Sequence, residues 1–155
     1  MIDELKNIEY VLFDLDGTVS DSSEGITKSA DKALKSEGID VPFETLTSFI
    51  GPALRVSFGR YTDDVEKRDR MLDVYRERYS EKGWCENKIY PGMAELLRDL
   101  QKSGKHVVLA SAKPEYFCRK IIKYFGVEQY FDFIGGSDMD AVSYTHLRAH
   151  ETLAN

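Results

Sequence analysis

The stretch FDLDGTVSDS, residues 13–22, constrains the fold most strongly. It ends an apolar run, Tyr10 to Phe13, of the kind found in a strand that is buried on both faces of a parallel sheet. Asp14 and Asp16 then fall at the carboxyl end of that strand, where open α/β sheets bind ligands. If the extended geometry continues, both carboxylates point to one side, and Gly17 lets the chain turn away. Such an oxygen-rich pair predicts a Mg²⁺ site.

The acidic pair has two other interpretations, a calcium-binding loop and a helix cap or solvated turn. A calcium-binding EF-hand loop that starts at Asp14 would need glycine at its sixth position and glutamate at its twelfth. Val19 and Gly25 stand there, so an EF-hand is excluded. A helix cap or a solvated turn would account for the two aspartates alone, but not for the apolar strand before them and the helical segment after them.

The rest of the chain predicts a parallel α/β core with a helical insertion. A second apolar run, 107–110, stops at Ser111, and a third short strand is expected at 131–134. Helices are predicted at 23–37, 63–82, 92–103 and 115–125, and the second of these places four apolar residues on one stripe. These are Val65, Leu72, Tyr75 and Tyr79. The all-helical stretch between Ser20 and Asn87 is too long for an ordinary crossover, so we expect a three-layer core with an inserted all-α domain.

The composition of the chain restricts the binding partners and the cellular compartment that we expect for the protein. The 155 residues carry a net charge of −6, which argues against a nucleic-acid surface, because phosphate backbones attract an excess of Lys and Arg. Cys85 and Cys118 form no CxxC pair, which favours a reducing compartment. No apolar run approaches the roughly 20 residues of a membrane span. We therefore expect a cytoplasmic protein with neither nucleic-acid nor membrane partners.

The motifs FDLDGT and ASAKPE resemble those of a known superfamily. FDLDGT is similar to motif I of the haloacid dehalogenase-like (HAD) hydrolases, and a strand that ends at Ser111 is similar to their motif II. ASAKPE resembles the phosphoglycolate phosphatase branch, which includes 5′-nucleotidases. The helical insertion resembles that branch's cap domain, and YPG at 90–92 falls where the chain would return to the core. The resemblance implies a Rossmann-like HAD core at 1–18 and 88–141 and a cap at 19–87.

The resemblance also implies roles for single residues. Asp14 would be the nucleophile that forms an aspartyl-phosphate, and Asp16 the general acid and then the general base. The Asp14 carboxylate and the Asp16 backbone carbonyl would hold Mg²⁺. Ser111, Ala112 and Lys113 would bind phosphate oxygens. For Lys113, a solvent-exposed lysine before a proline is an equal alternative.

In the predicted cap, Gly51, Pro52 and Arg55 resemble a loop that faces the substrate. Arg55 is equally well explained as a plain surface charge. Tyr75 and Tyr79 are expected to pack in the seam between helices rather than to contact a ligand.

The implied function is Mg²⁺-dependent hydrolysis of small phosphomonoesters of the phosphoglycolate or nucleoside 5′-monophosphate type. Two alternatives remain open. A sugar-phosphate mutase on the same scaffold would isomerise its substrate rather than release phosphate. A phospho-acceptor domain would be phosphorylated on aspartate and turned over slowly, but such domains need no long helical insertion.

The tail VSYTHLRAHET, residues 142–152, raises a different possibility. His146 and His150, with Glu151 beside them, have the i, i+4 spacing of a zinc site. The tail also resembles one reading frame of a transposase adapter used in DNA library preparation, so we expect residues 142–155 to be non-native.

On that interpretation the native sequence is expected to end near Ala141, and the chain to be truncated. The family's motif III lysine and its paired motif IV acids, G-D-x-x-x-D, would then be missing. Asp138 and Asp140 resemble the loop after the third strand instead. One edge of the sheet would stand open, and we expect the 155-residue chain to be unstable or nearly inactive.

Overall fold

The protein divides into two compact units, seen in a computed structural model that describes residues 7–138. One unit falls within Met1–Val19 and Ile89–Asn155, and the other is Ser20–Lys88. The strands are β1 (Tyr10–Phe13), β2 (Ser20–Asp21), β3 (Lys88–Ile89), β4 (His106–Pro114) and β5 (Phe133–Ser137). The α-helices are α1 (Ser23–Ser36), α2 (Leu54–Gly59), α3 (Val65–Glu81), α4 (Met93–Lys102) and α5 (Glu115–Tyr124). Short 3₁₀ helices occupy Phe43–Phe49, Gly83–Cys85 and Glu128–Tyr130.

The first unit is built on a three-stranded parallel sheet in the order β1-β4-β5. The central strand β4 is apolar because it is covered on both faces, and Val107, Val108 and Leu109 are all buried. Phe13 of β1 and Ile134 of β5 both pair with Leu109, so the carboxyl ends of the three strands reach the same edge. This confirms the predicted α/β fold with a parallel sheet.

Two predicted strand boundaries are wrong, one at the carboxyl end of β4 and one at the amino end of β5. Strand β4 does not stop at Ser111 but continues to Pro114, through a shift in register after Ala110. Strand β5 begins at Phe133 rather than at 131, because Asp132 forms two hydrogen bonds with the backbone of Val107 just before the strand. Its backbone N–H donates to the Val107 carbonyl at 2.8 Å, and its carboxylate accepts from the Val107 N–H at 2.9 Å.

The helical unit packs α1 against α3. Helix α1 buries Ile26, Ala30, Ala33 and Leu34, and α3 buries Met71, Leu72, Tyr75 and Tyr79. The prediction that Val65 lies on the same buried stripe is wrong, because Val65 is 55% exposed. It is the first residue of α3, directly after the N-cap Asp64, and the buried face begins more than a turn later.

The start of α1 also differs slightly from the prediction. From sequence, Ser23 at the start of the predicted helix 23–37 is a plausible N-cap residue, but in the structure Ser22 holds that position and Ser23 is the first helical residue. Its backbone N–H donates to the Asp21 carboxylate at 3.0 Å, so an acidic side chain two residues earlier satisfies that end of the helix.

A two-stranded sheet, β2 with β3, was not predicted. The chain passes from the first unit to the second at β2 and returns at β3. Strands of two residues carry no periodic signal, which explains the omission. Within residues 7–138, no helix is long and apolar enough to cross a membrane.

Candidate active site

The loop after β1 places Asp14 and Asp16 in different surroundings. The strand geometry does not continue past Phe13, because the N–H groups of Thr18 and Val19 both turn back to the Leu15 carbonyl. Gly17 completes the turn with a φ of +78°, a conformation that favours glycine. Asp14 is therefore exposed, whereas the Asp16 side chain is only 12% exposed.

Asp16 is held by Lys113. The Lys113 Nζ lies 2.8 Å from Asp16 Oδ2, and the lysine side chain is only 8% exposed. The alternative interpretation of Lys113, a solvent-exposed lysine, is therefore wrong. A lysine buried to this extent is normally found only with a partner, and Asp16 is one such partner.

The second carboxylate oxygen of Asp16 has a different environment. Oδ1 is inaccessible to solvent and accepts no hydrogen bond from any residue in the described part of the chain. Leaving a buried acceptor unpaired costs about 1–3 kcal/mol, so such an atom marks a place where an incoming group gains a hydrogen bond.

The segment Ser111–Lys113 lies at the same edge and is fixed by its backbone. Ser111 is buried, and its Oγ accepts a hydrogen bond from the Lys113 N–H at 3.3 Å. The Ala112 carbonyl accepts from the Ser137 hydroxyl at 2.9 Å. The end of β5 therefore supports the segment that carries Lys113.

Burial raises the pKa of the Cys118 thiol, at the first turns of α5, to about 12. The positive charge of Lys113 acts against that shift, while the charges of Asp16 and Asp14 add to it. These three charged groups all act on one thiol, which indicates that the fold gathers them into one neighbourhood.

The oxygens available for a metal are few but of a suitable kind. Asp14 Oδ1 accepts from the Leu15 N–H at 2.7 Å, which leaves its other oxygen and the Asp16 backbone carbonyl. Hard oxygen ligands suit Mg²⁺, which commonly binds through one or two carboxylates and keeps several waters. Across residues 7–138, no cluster of three or more His, Cys, Asp or Glu residues is arranged to hold a metal.

The residues expected to face the substrate from the cap lie in the helical unit. Gly51 has a φ of +100°, Pro52 is exposed, and the Arg55 Nη1 forms an ion pair with Asp69 at 2.6 Å. Both charged side chains remain roughly half exposed, so Arg55 is paired but still accessible.

Several residues at the site's edge were not identified from sequence. Ser137 and Gly136 support the Lys113 segment, and the double glycine of FIGGS was the available signal, since adjacent glycines in a strand indicate close backbone approach. Asp138 is exposed and follows β5, as the loop prediction implies. Asp140 and the tail residues His146, His150 and Glu151 lie outside the described residues, as does all of 142–155.

Comparison with known proteins finds one family and relatives that carry different named activities. Residues 11–142 match a family described as haloacid dehalogenase-like hydrolase. A 5′-nucleotidase from Pseudomonas aeruginosa is 40% identical over 84% of this chain and 60% of its own length. The tyrosine-protein kinase PtkA from Mycobacterium tuberculosis is 37% identical over 85% of this chain and 45% of its own length.

Solved structures agree with the sequence relatives. A predicted phosphatase from Clostridium acetobutylicum superposes with a TM-score of 0.81 at 44% identity, over 86% of this chain and 62% of that one. The chain thus spans about half to three fifths of the length of the relatives it matches.

Proposed function

The chain belongs to the haloacid dehalogenase-like hydrolase family, and from that premise we propose that it carries the nucleophile and the acid–base residue of a Mg²⁺-dependent phosphatase. One observation carries the proposal. Asp16, buried against Lys113 with one oxygen unpaired, lies two residues from the exposed Asp14 at the carboxyl edge of a parallel sheet. Attack and proton transfer need two carboxylates in such unlike environments.

In the first step, the carboxylate of Asp14 attacks the phosphorus of the substrate. A bond forms between one carboxylate oxygen of Asp14 and phosphorus while the bond from phosphorus to the leaving-group oxygen breaks. The leaving-group oxygen takes a proton from the protonated carboxyl group of Asp16. The products of this step are the free alcohol and an aspartyl-phosphate.

In the second step, water hydrolyses the aspartyl-phosphate. Asp16, now a carboxylate, removes a proton from the water as its oxygen attacks phosphorus, and the bond to Asp14 breaks. Both side chains return to their starting states, so the net reaction is ester plus water to alcohol plus phosphate.

Electrostatic repulsion between Asp14 and the phosphate must be offset. The Ser111 hydroxyl and the Ala112 backbone N–H are proposed to contact the phosphate oxygens, with the charge of Lys113 close by. When bound at the Asp14 carboxylate and the Asp16 carbonyl, Mg²⁺ would supply further positive charge.

The helical unit is proposed to act as the cap, with the core at 1–18 and 88–141 and the cap at 19–87. Gly51, Pro52 and Arg55 would then select the leaving group. The similarity to a 5′-nucleotidase supports a nucleoside 5′-monophosphate, and the resemblance of ASAKPE supports phosphoglycolate. An exposed guanidinium such as Arg55 suits either substrate, because both are anionic.

The test uses a readout that registers a single chemical event. The chain is incubated with p-nitrophenyl phosphate and Mg²⁺ and then quenched with hydroxylamine, which converts an aspartyl-phosphate to a hydroxamate that mass spectrometry locates. A chain that is nearly inactive in turnover can still be phosphorylated once, so we expect the label on Asp14 and none in Asp14→Asn. Asp138→Asn is the matched control, since this exposed aspartate lies in the same unit outside the proposed chemistry, and it should label normally.

The alternatives give different results in the same assay. Label on another residue, or none with intact protein, would contradict the proposal. A label on Asp14 that persists without release of phosphate would favour the phospho-acceptor domain. Isomerisation of a sugar phosphate would favour the mutase, and transfer of the phosphoryl group to an added alcohol would favour a phosphotransferase.

A further inference from the structure

We propose that Lys113 is a positioning residue whose ammonium fixes the orientation of the Asp16 side chain, and that Gly136 is the residue that lets Lys113 do so. The proposal rests on the role assigned to Asp16 above and assigns Lys113 a task other than direct phosphate binding.

The first support is the contact itself. The two side chains are 8% and 12% exposed, and Lys113 Nζ lies 2.8 Å from Asp16 Oδ2, while Asp16 Oδ1 has no partner among the described residues. One oxygen of Asp16 is thus tied down, and the other is kept for a group that the described residues do not supply. A carboxylate held in this way has one preferred rotamer, and holding it limits the entropy lost when substrate arrives.

The second support is that the backbone of Lys113 is held from several sides. Its N–H donates to Ser111 Oγ, and its carbonyl accepts a weak hydrogen bond from Cys118 Sγ at 3.5 Å. The neighbouring Ala112 carbonyl accepts from Ser137. A lysine side chain is long and flexible, so the direction in which it leaves the backbone decides where its ammonium can rest.

The third support is the absence of a side chain at Gly136. A Cβ placed there would lie 2.5 Å from the Lys113 carbonyl oxygen and 2.6 Å from the N and Cα of Glu115. These are backbone atoms at the junction of β4 and α5, and they cannot retract without moving Lys113. The adjacent Gly135 differs, because a Cβ there first meets the ring of Phe133, at 2.8 Å, and that side chain is 43% exposed and can turn away.

The glycine pair therefore supplies a matched experiment. Gly136→Ala should displace the Lys113 backbone without changing any charge, whereas Gly135→Ala should change only a ring orientation. Lys113→Met removes the charge at nearly constant length, and Lys113→Arg keeps it.

The primary measurement is independent of turnover. Three-bond NMR couplings report the χ1 rotamer of Asp16 in the protein without substrate. We expect a single rotamer in the unsubstituted protein, Lys113→Arg and Gly135→Ala, and averaged couplings in Lys113→Met and Gly136→Ala. A single unchanged rotamer in Lys113→Met would overturn the proposal, whatever the activity of the chain. If Gly136→Ala does not fold, as judged by circular dichroism, Lys113→Met decides alone.

Kinetics then separate positioning from binding. A misplaced carboxylate should lower kcat by about 100-fold, while KM and the inhibition constant for inorganic phosphate change less than about 3-fold. The reverse pattern, with KM and the inhibition constant raised about 10-fold at constant kcat, would make Lys113 a phosphate ligand and refute the proposal. If the unsubstituted protein forms no aspartyl-phosphate, the proposed function fails, and the rotamer measurement still tests the role of Lys113.

Discussion

Replacement of Gly25 by alanine should destabilise the helical unit, although alanine is the better helix former. Gly25 lies in the first turn of α1, and its N–H donates to the Glu86 carbonyl at 3.1 Å. A Cβ there would collide with the Gly83 carbonyl oxygen and lie 2.8 Å from its carbon and 3.1 Å from its Cα. The collision is with backbone, so no side-chain rotation relieves it.

The magnitude follows from three contributions. Carbon atoms pack at about 3.5–4.0 Å, so the two segments must separate by roughly 0.7 Å or more. Overpacking of this kind costs about 1–3 kcal/mol, and the stretched hydrogen bond to Glu86 adds about 1 kcal/mol. The higher helix propensity of alanine offsets about 1 kcal/mol of this loss in stability. The net loss is about 2 kcal/mol, or about 4–8 °C in Tm for a chain of this size.

Urea unfolding followed by circular dichroism measures the effect, with Gly59→Ala as the control. Gly59 ends α2, and the nearest atom to its added Cβ is the flexible Arg68 Nη1 at 3.5 Å, an ordinary contact. That variant should lie within about 0.5 kcal/mol of the unsubstituted protein. If Gly25→Ala proved as stable as Gly59→Ala, the close approach of α1 to Gly83 would be refuted.

Three further outcomes are expected. The Arg78 guanidinium lowers the pKa of Glu86, so the stability that this pair contributes is present above pH 4.5 and lost as the pH falls further. Glu86→Gln should therefore lower the free energy of unfolding by about 1–3 kcal/mol at pH 7 and by little at pH 3. A loss of stability that does not depend on pH would contradict this. Iodoacetamide should alkylate the partly exposed Cys85 well before the buried Cys118, because a thiol pKa of about 12 leaves Cys118 almost no thiolate. Equal rates of alkylation at the two cysteines in the native protein would count against the burial of Cys118. Chelation by EDTA should abolish labelling of Asp14 and added Mg²⁺ should restore it, whereas labelling unaffected by EDTA would exclude the proposed metal dependence.

The sheet and its turn could be predicted because their signals are local. An apolar run that stops at Asp14 and a glycine at position 17 specify a strand and a sharp turn within a few residues of each other. The predicted burial of that strand on both faces is wrong, because β1 lies at the end of the sheet and its Tyr10 and Leu12 are 42% and 60% exposed. The extension of β4 through Ser111–Pro114 could not be predicted, because SAKP has no strand pattern of its own. That extension depends on pairing between Pro114 and Ser137, which is a contact between distant parts of the chain.

The ion pair between Lys113 and Asp16 could not be predicted from the sequence, for a related reason. Adjacent parallel strands bring both residues to one edge, but the side-chain direction of Lys113 depends on how closely β5 approaches at Gly136. The misplacement of Val65 has a different origin. A periodic stripe predicts which side of a helix is buried, but it does not say at which turn the neighbouring helix begins to cover it.

The pairing of β2 with β3 makes the helical unit a self-contained cassette. Neighbouring strands lie about 4.8 Å apart, so the chain leaves and re-enters the α/β unit at almost the same point. Insertions at such a point are tolerated, because the cost of closing a loop grows only slowly with its length. The segment between β2 and β3 could therefore be replaced, or shortened to a hairpin turn, without changing the residues that form the parallel sheet and carry Asp14 and Asp16.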